Sequence, residues 1–187
     1  MRQGMANLEE RGATARVKID LDGSGLADVT SGSAFLDHMM AALCRTAQLN
    51  LEAKAEGSQL SRCTALGRAI GLSIKDALED KRGMRRYGNF AVPMDDALAE
   101  VALDFSGRTY LVFRGEFSGP RIGDLETYEV KAFMEALADG ARLTLHMRFY
   151  GENDHHKAES IFKALGLAMR EAMRIEGTEI PSTKGII

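Results

Sequence analysis

No run of this 187-residue chain is apolar for long enough to cross a membrane, so a transmembrane helix is not expected. A basic run is absent too, and a formal net charge of -3 with a pI near 5.8 argues against a general nucleic-acid binder. There are only two cysteines, Cys44 and Cys63, and they lack C-x-x-C spacing. Residues 1–11 are charged and have no apolar centre like that of a signal peptide, so a reducing, cytoplasmic setting is the expectation. Histidine is scarce, at four residues, which makes the position of each one informative.

What is present is an ordinary globular mixture, 45% hydrophobic and 27% charged, in a chain long enough for one domain or two small half-domains. Residues 15–22 alternate polar and apolar side chains and end at Gly23-Ser24-Gly25, a strand followed by a turn. Phe35, Met39, Ala42 and Leu43 have helical spacing. Residues 48–54 alternate again, and residues 66–78 predict a second helix, closed by Lys81-Arg82-Gly83.

The second half repeats this order, with strands over 98–105 and 143–149 and helices over 130–137 and 161–173. From Leu36 onward a constant offset of 94 aligns the halves: Leu43 meets Leu137, Leu49 meets Leu143, and Gly57 meets Gly151. A single unit of two similar halves, about 12–92 and 93–187, is the economical reading. Each half would bury a helix face against a sheet.

The segment Gly151-Glu-Asn-Asp-His155-His156-Lys-Ala-Glu159 reads as a loop turning into a helix. In a helix starting near Asp154, His155 and Glu159 are four apart and His156 and Glu159 three apart, so imidazoles and carboxylate can share one face. That is a metal-ligand pattern, although adjacent histidines at a helix start also occur as a plain solvated terminus. At the offset of 94 its counterparts are Ser61, Arg62 and Ala65, and His146 falls opposite Glu52. The first half carries no such cluster.

The segments F35-L-D-H38-M, P93-M-D-D-A-L-A, D104-F-S-G-R108, L143-T-L-H146, G151-E-N-D-H-H-K-A-E159, F162-K163-A and P181-S-T-K184-G together resemble the imidazoleglycerol-phosphate dehydratase family over nearly the whole chain. The resemblance implies an α+β fold of duplicated half-domains, ribosomal protein S5 domain 2-like, each a sheet with helices packed on one side. It implies a lyase of histidine biosynthesis that removes water from imidazole glycerol phosphate. Its sites hold two manganese ions shared between neighbouring subunits of a 24-subunit cage built from trimers.

Carried over residue by residue, the resemblance places the substrate phosphate at Arg86, Arg108, Lys163, Ser182 and Lys184. A dianion suits convergent cations and a hydroxyl, with arginine offering a fork and lysine a point charge. It gives His38, His146, His155, His156 and Glu159 as metal donors, five where two four-donor sites need eight. One Mn²⁺ site at most is therefore expected, and none is also compatible with the donor count. Where the family has a second D-D-H-H-x-x-E-D cluster this chain has Ser58-Gln-Leu-Ser-Arg-Cys-Thr-Ala65, in a shorter loop. Ala15 or Arg16 stands at a family glutamate, no catalytic acid or base is assigned, and Arg62 could set a fixed cation in a metal's place.

The implied function is a divergent dehydratase-like lyase that binds a small phosphorylated ligand, with weak or altered activity. The alternative from another class is a non-catalytic paralogue, a ligand-binding assembly or a partner that co-assembles with an active homologue. A lyase acting on another phosphorylated substrate is a third reading. A homo-oligomer is expected in each case, with Met39, Met40 and Leu43 as candidate surplus apolar surface.

Overall fold

The computed structural model describes residues 1–182. A hairpin of β1 (Gln3–Glu10) and β2 (Ala13–Asp20) leads to β3 (Ala27–Thr30), α1 (Ala34–Ala47), β4 (Asn50–Glu56) and α2 (Gln59–Leu78). The order then recurs as β5 (Tyr87–Met94), β6 (Ala97–Asp104) and β7 (Tyr110–Arg114), followed by the short strands β8 (Arg121–Ile122) and β9 (Leu125–Glu126). Next come α3 (Thr127–Ala141), β10 (Thr144–Tyr150) and α4 (Asp154–Ala172). The sheets β1-β2-β4-β3 and β5-β6-β10-β7 have the same topology, each ending in one parallel pair. This is the duplicated α+β architecture that the sequence predicts.

Local chemistry sets the elements. In β2, Ala13, Ala15, Val17 and Ile19 are buried and the residues between them exposed or half-exposed, so strict alternation produces a one-faced strand. α1 starts at Ser33, whose hydroxyl accepts from the Leu36 N–H, and stops at left-handed Gln48. Residues 1–11 gave no strand signal, because the inward positions of β1 are only Gly4, Ala6 and Leu8. Pairing with β2 creates that strand, and the missing side chain of Gly4 lets its backbone approach Ser73 and Ala77 of α2.

The four helices lie inside the two sheets. α2 rests on β1 and β2 and packs on α3, while α4 rests on β5 and β6 and packs on α1. Met39, Met40 and Leu43 sit in this core at 0%, 1% and 3% exposure, so they are not the surplus apolar surface expected of them. Their helical spacing marked a face that the fold itself covers. The exposed apolar side chains stand elsewhere, among them Met5, Phe90, Tyr110 and Tyr150.

The packing also corrects the register of the repeat. Gly71 approaches the backbone of Leu137 and Ala141, and Gly166 approaches that of Leu43 and Ala47. Gly4 approaches Ser73 and Ala77 as Gly88 approaches Ala168 and Ala172. Thus α1 and α3 match at an offset of 94, but α2 and α4 match at 95, because one more residue precedes α4 (Gly151-Glu-Asn) than α2 (Gly57-Ser). The counterparts of His155, His156 and Glu159 are therefore Leu60, Ser61 and Thr64. Arg62 corresponds to Lys157, not to His156.

The hydrogen bonds agree. Arg62 Nη2 donates to the Gly32 carbonyl at 2.9 Å, and Lys157 Nζ donates to the Glu116 carbonyl at 3.1 Å. Gly32 and Glu116 are equivalent positions beyond β3 and β7, since Ala27 pairs with Leu51 as Leu111 pairs with Leu145. Both cations tie a helix start to the loop beside it. Arg62 is thus a structural tether rather than a cation standing in for a metal.

Candidate metal centre

The start of α4 carries the site. Asn153 caps the helix, its Oδ1 accepting from the N–H groups of His155 at 2.9 Å and His156 at 3.3 Å. The first turn is anchored from below by buried Lys157, which pairs with Asp154 at 2.5 Å and donates to the Ser118 hydroxyl. This fixes the direction of the side chains one turn on.

His38 from α1 and His155 and Glu159 from α4 converge, with one ligand atom from each lying within 4.8 Å of the others. Glu159 Oε2 stands 3.1 Å from His155 Nε2 and 3.8 Å from His38 Nε2. Its Oε1 pairs with Lys163 Nζ at 2.8 Å, one helical turn further on. The carboxylate is only 10% exposed, while His38 and His155 are about half exposed at 51% and 45%. Phe35 meets the His155 ring edge-on at 5.3 Å between centroids and closes one side. Burial pushes the Glu159 pKa up, yet Lys163, His155 and His38 outweigh it and hold the group below the usual carboxylate range. Two imidazoles and an ionised carboxylate make a donor set suited to a divalent transition metal.

His156 and His146 stand apart from this cluster. His156 turns toward the β5–β6 turn, with Nδ1 2.6 Å from Asp96 Oδ1 and Nε2 3.5 Å from Asp95 Oδ2. The same Asp96 accepts through Oδ2 from the Glu152 and Asn153 N–H groups, at 2.6 and 2.8 Å. These three donors, His156 first, hold the Asp96 carboxyl well below its ordinary range. His146 is on the outer face of the second sheet, stacked on Tyr110, in a groove of about 440 Å³ with Glu100, Arg114 and Arg148. The sheet separates it from α4.

The five phosphate candidates are also divided. Lys163 lies beside Glu159 in the middle of α4. Arg86 is at the far end of that helix, where its N–H donates to the Ala172 carbonyl. The nine residue-to-residue steps of helix from Lys163 to Ala172 amount to about 14 Å. The Arg86 guanidinium forks onto Asp104 at 2.6 and 3.1 Å and donates to the Pro181 carbonyl at 2.8 Å, next to Ser182. Arg108 is exposed in the loop after β6, its backbone bonded to the Ser106 hydroxyl. Lys184 lies outside the described residues. Neither Ala15 nor Arg16 approaches the centre: Ala15 is buried in β2 and Arg16 is on the outer face of the first sheet.

The corresponding place in the first half is a cleft of about 570 Å³ lined by Leu60, Ser61, Thr64 and Arg68. The residues at the places of His155, His156 and Glu159 are not metal-type donors, although Glu10, Glu135 and Asp139 also line the cleft. The Thr64 hydroxyl donates to the Leu60 carbonyl, and the Ser61 hydroxyl accepts from that of Ser58. Arg68, the counterpart of Lys163, pairs with Glu10 and Asp139. The two residues that meet His156, Asp95 and Asp96, were visible in the P-M-D-D-A-L-A motif, but their sequence distance from His156 gave no sign of contact.

Residues 31–169 match the family model for imidazoleglycerol-phosphate dehydratase. The imidazoleglycerol-phosphate dehydratase of Methanosarcina barkeri is 42% identical over 191 residues and aligns with all of both chains. The crystal structure of the Staphylococcus aureus enzyme superposes with a TM-score of 0.85 at 31% identity, over 92% of this chain and 99% of that one. The Pyrococcus furiosus enzyme gives 0.79 at 28% identity, over 97% of this chain and 100% of that one. With the duplicated fold and the His38–His155–Glu159 cluster at the start of its last helix, the chain belongs to the imidazoleglycerol-phosphate dehydratase family.

Proposed function

We propose that this protein is a cytoplasmic carbon–oxygen lyase that dehydrates imidazole glycerol phosphate in histidine biosynthesis, with a reduced metal complement and slow turnover. The observation that carries the reading is the convergence of His38, His155 and Glu159 beside Lys163. The donor set fits one Mn²⁺ per chain, which when bound supplies a Lewis acid to polarise the imidazole of the substrate. Glu159 links the two functions of the site, one oxygen toward the histidines and the other toward the phosphate-side lysine. The half-buried setting limits the water around these charges and strengthens each contact.

The division of the binding residues supports a site completed between copies of the chain. Lys163 and Arg86 are too far apart along α4 for one phosphate to touch both, and His146 faces away from His155. A second copy presenting its outer sheet face or its Arg86–Arg108 end would unite them. A homo-oligomer follows, as trimers of a 24-subunit cage in the family's manner.

The reduced complement rests on Leu60, Ser61 and Thr64, none of which offers a metal-type donor. Each lost electrostatic contact to a reacting group costs on the order of a hundredfold to a thousandfold in rate. A steady-state assay with purified protein and Mn²⁺ tests the reading. Turnover well below about one per second, with at most one metal per chain, is the expected result; turnover at or above that ordinary enzyme range would overturn the reduced-site reading.

A further inference from the structure

Asp96 has no role in the readings above, yet its carboxylate is fully occupied. Oδ2 accepts two backbone N–H groups, from Glu152 and Asn153, in the loop whose Asn153 caps α4. Oδ1 meets His156 Nδ1 at 2.6 Å. An ionised carboxylate only accepts hydrogen bonds, so the proton on this side must belong to His156 Nδ1. The other ring nitrogen, Nε2, stands 3.5 Å from Asp95 Oδ2 and is the one left for a cation.

The repeat offers an internal comparison. Gln3 pairs with Asp20 as Tyr87 pairs with Asp104, so the two hairpins match at an offset of 84. Asp96 then corresponds to Gly12, and His156 corresponds to Ser61. Both turns have a left-handed residue just before this position, Arg11 at φ 49° and Asp95 at φ 46°. Gly12 is itself left-handed at φ 73° while Asp96 is not, so the two turns close differently, and in the first half carboxylate and histidine are absent together.

We propose that Asp96 is a positioning residue which orients His156 and fixes its Nδ1–H form, so that Nε2 is the metal-binding nitrogen. The inference rests on His156 serving as a metal donor, as the family resemblance implies. Carboxylates in this relation to a metal-bound histidine affect metal affinity by roughly 10- to 100-fold.

Asp96→Asn tests the idea sharply. The Glu152 and Asn153 N–H groups claim the single amide oxygen, which turns the NH₂ toward Nδ1 and forces the proton onto Nε2. With ¹⁵N-labelled histidine and ¹¹³Cd²⁺ as the probe, the wild-type assembly should show cadmium coupling to His156 Nε2. Asp96→Asn should bind Cd²⁺ and Mn²⁺ about 10- to 100-fold more weakly and lose that coupling, while the His155 signals stay metal-bound. Asp96→Glu, which can still accept from Nδ1, should recover part of the affinity. Unchanged affinity with cadmium still on Nε2 in Asp96→Asn would overturn the positioning role. No coupling to His156 in the wild type would instead overturn the donor assignment, and the positioning role with it. If Asp96→Asn proves unstable, the coupled nitrogen of His156 in Asp96→Glu decides the matter: coupling through Nδ1 refutes the proposal.

Discussion

At the scale of single residues, the centre is defined by how one carboxylate is shared. Glu159 gives one oxygen to Lys163 and one to the histidines, so Glu159→Gln should weaken metal binding while releasing Lys163 from its ion pair. His155→Ala should remove the metal, read as loss of metal from protein purified without chelator. Loss of metal in His155→Ala with retention in His156→Ala would mark the His38 cluster as the tighter place.

The depressed acids predict a direction for acid stability. Asp96 and Glu159 have folded-state pKa values below their ordinary ones, so their stabilisation is complete above the ordinary carboxylate range and is lost as pH falls through the folded values. Melting temperature should therefore fall from about pH 5 downward. In Asp96→Asn the fall should be shallower, because one of the groups that drives it is gone; an identical slope would show that Asp96 is not held down.

At the scale of elements, the glycines at helix crossings are the sensitive points. A Cβ on Gly166 would lie 2.7 Å from the Leu43 carbonyl oxygen, and one on Gly71 would lie 2.6 Å from the Ala141 nitrogen. Backbone cannot move aside as a flexible side chain can. Gly71→Ala and Gly166→Ala should each cost about 1–3 kcal/mol, the range for overpacking a tight core. Thermal melts check this, at about 2–4 °C per kcal/mol for a chain of this size.

The corrected register predicts which substitutions would rebuild a second centre. Leu60→His, Ser61→His and Thr64→Glu would reproduce the spacing of His155, His156 and Glu159, with Arg68 four residues after position 64 as Lys163 follows Glu159, and Ala132→His would supply the counterpart of His38. The fourfold variant should bind one more metal equivalent per chain, measured by elemental analysis. The same donors placed by the uncorrected register, at Ser61, Arg62 and Ala65, should not, since Ala65 is fully buried and Arg62 is tied to Gly32.

At the scale of the molecule, the separation of Arg86 from the metal cluster makes subunit mixing informative. Arg86→Ala and His155→Ala should each be inactive alone, and mixed and reassembled they should regain part of the activity if a site draws on two copies. No recovery from proven mixed oligomers would confine the site to one chain. Mass measurement at micromolar concentration should show an assembly, and a stable monomer would remove the premise.

Though it gave no sign of β1, β3, β5 or β7, the sequence by itself determined the duplication, the four helices with the central strands β2, β4, β6 and β10, and the metal pattern on α4. These are local matters: alternation, helical spacing and a cap are set by residues a few positions apart. The family was legible because its motifs are contiguous. Only the tertiary structure decided which histidines meet, that Met39 and Met40 face inward, and that α2 and α4 match at 95 rather than 94. One added loop residue shifts every side chain of the following helix, and its effect is visible only where that helix touches another backbone. Asp96 was unreadable for the same reason, since it reaches His156 through the closing of a sheet over a helix, a contact that no local spacing encodes.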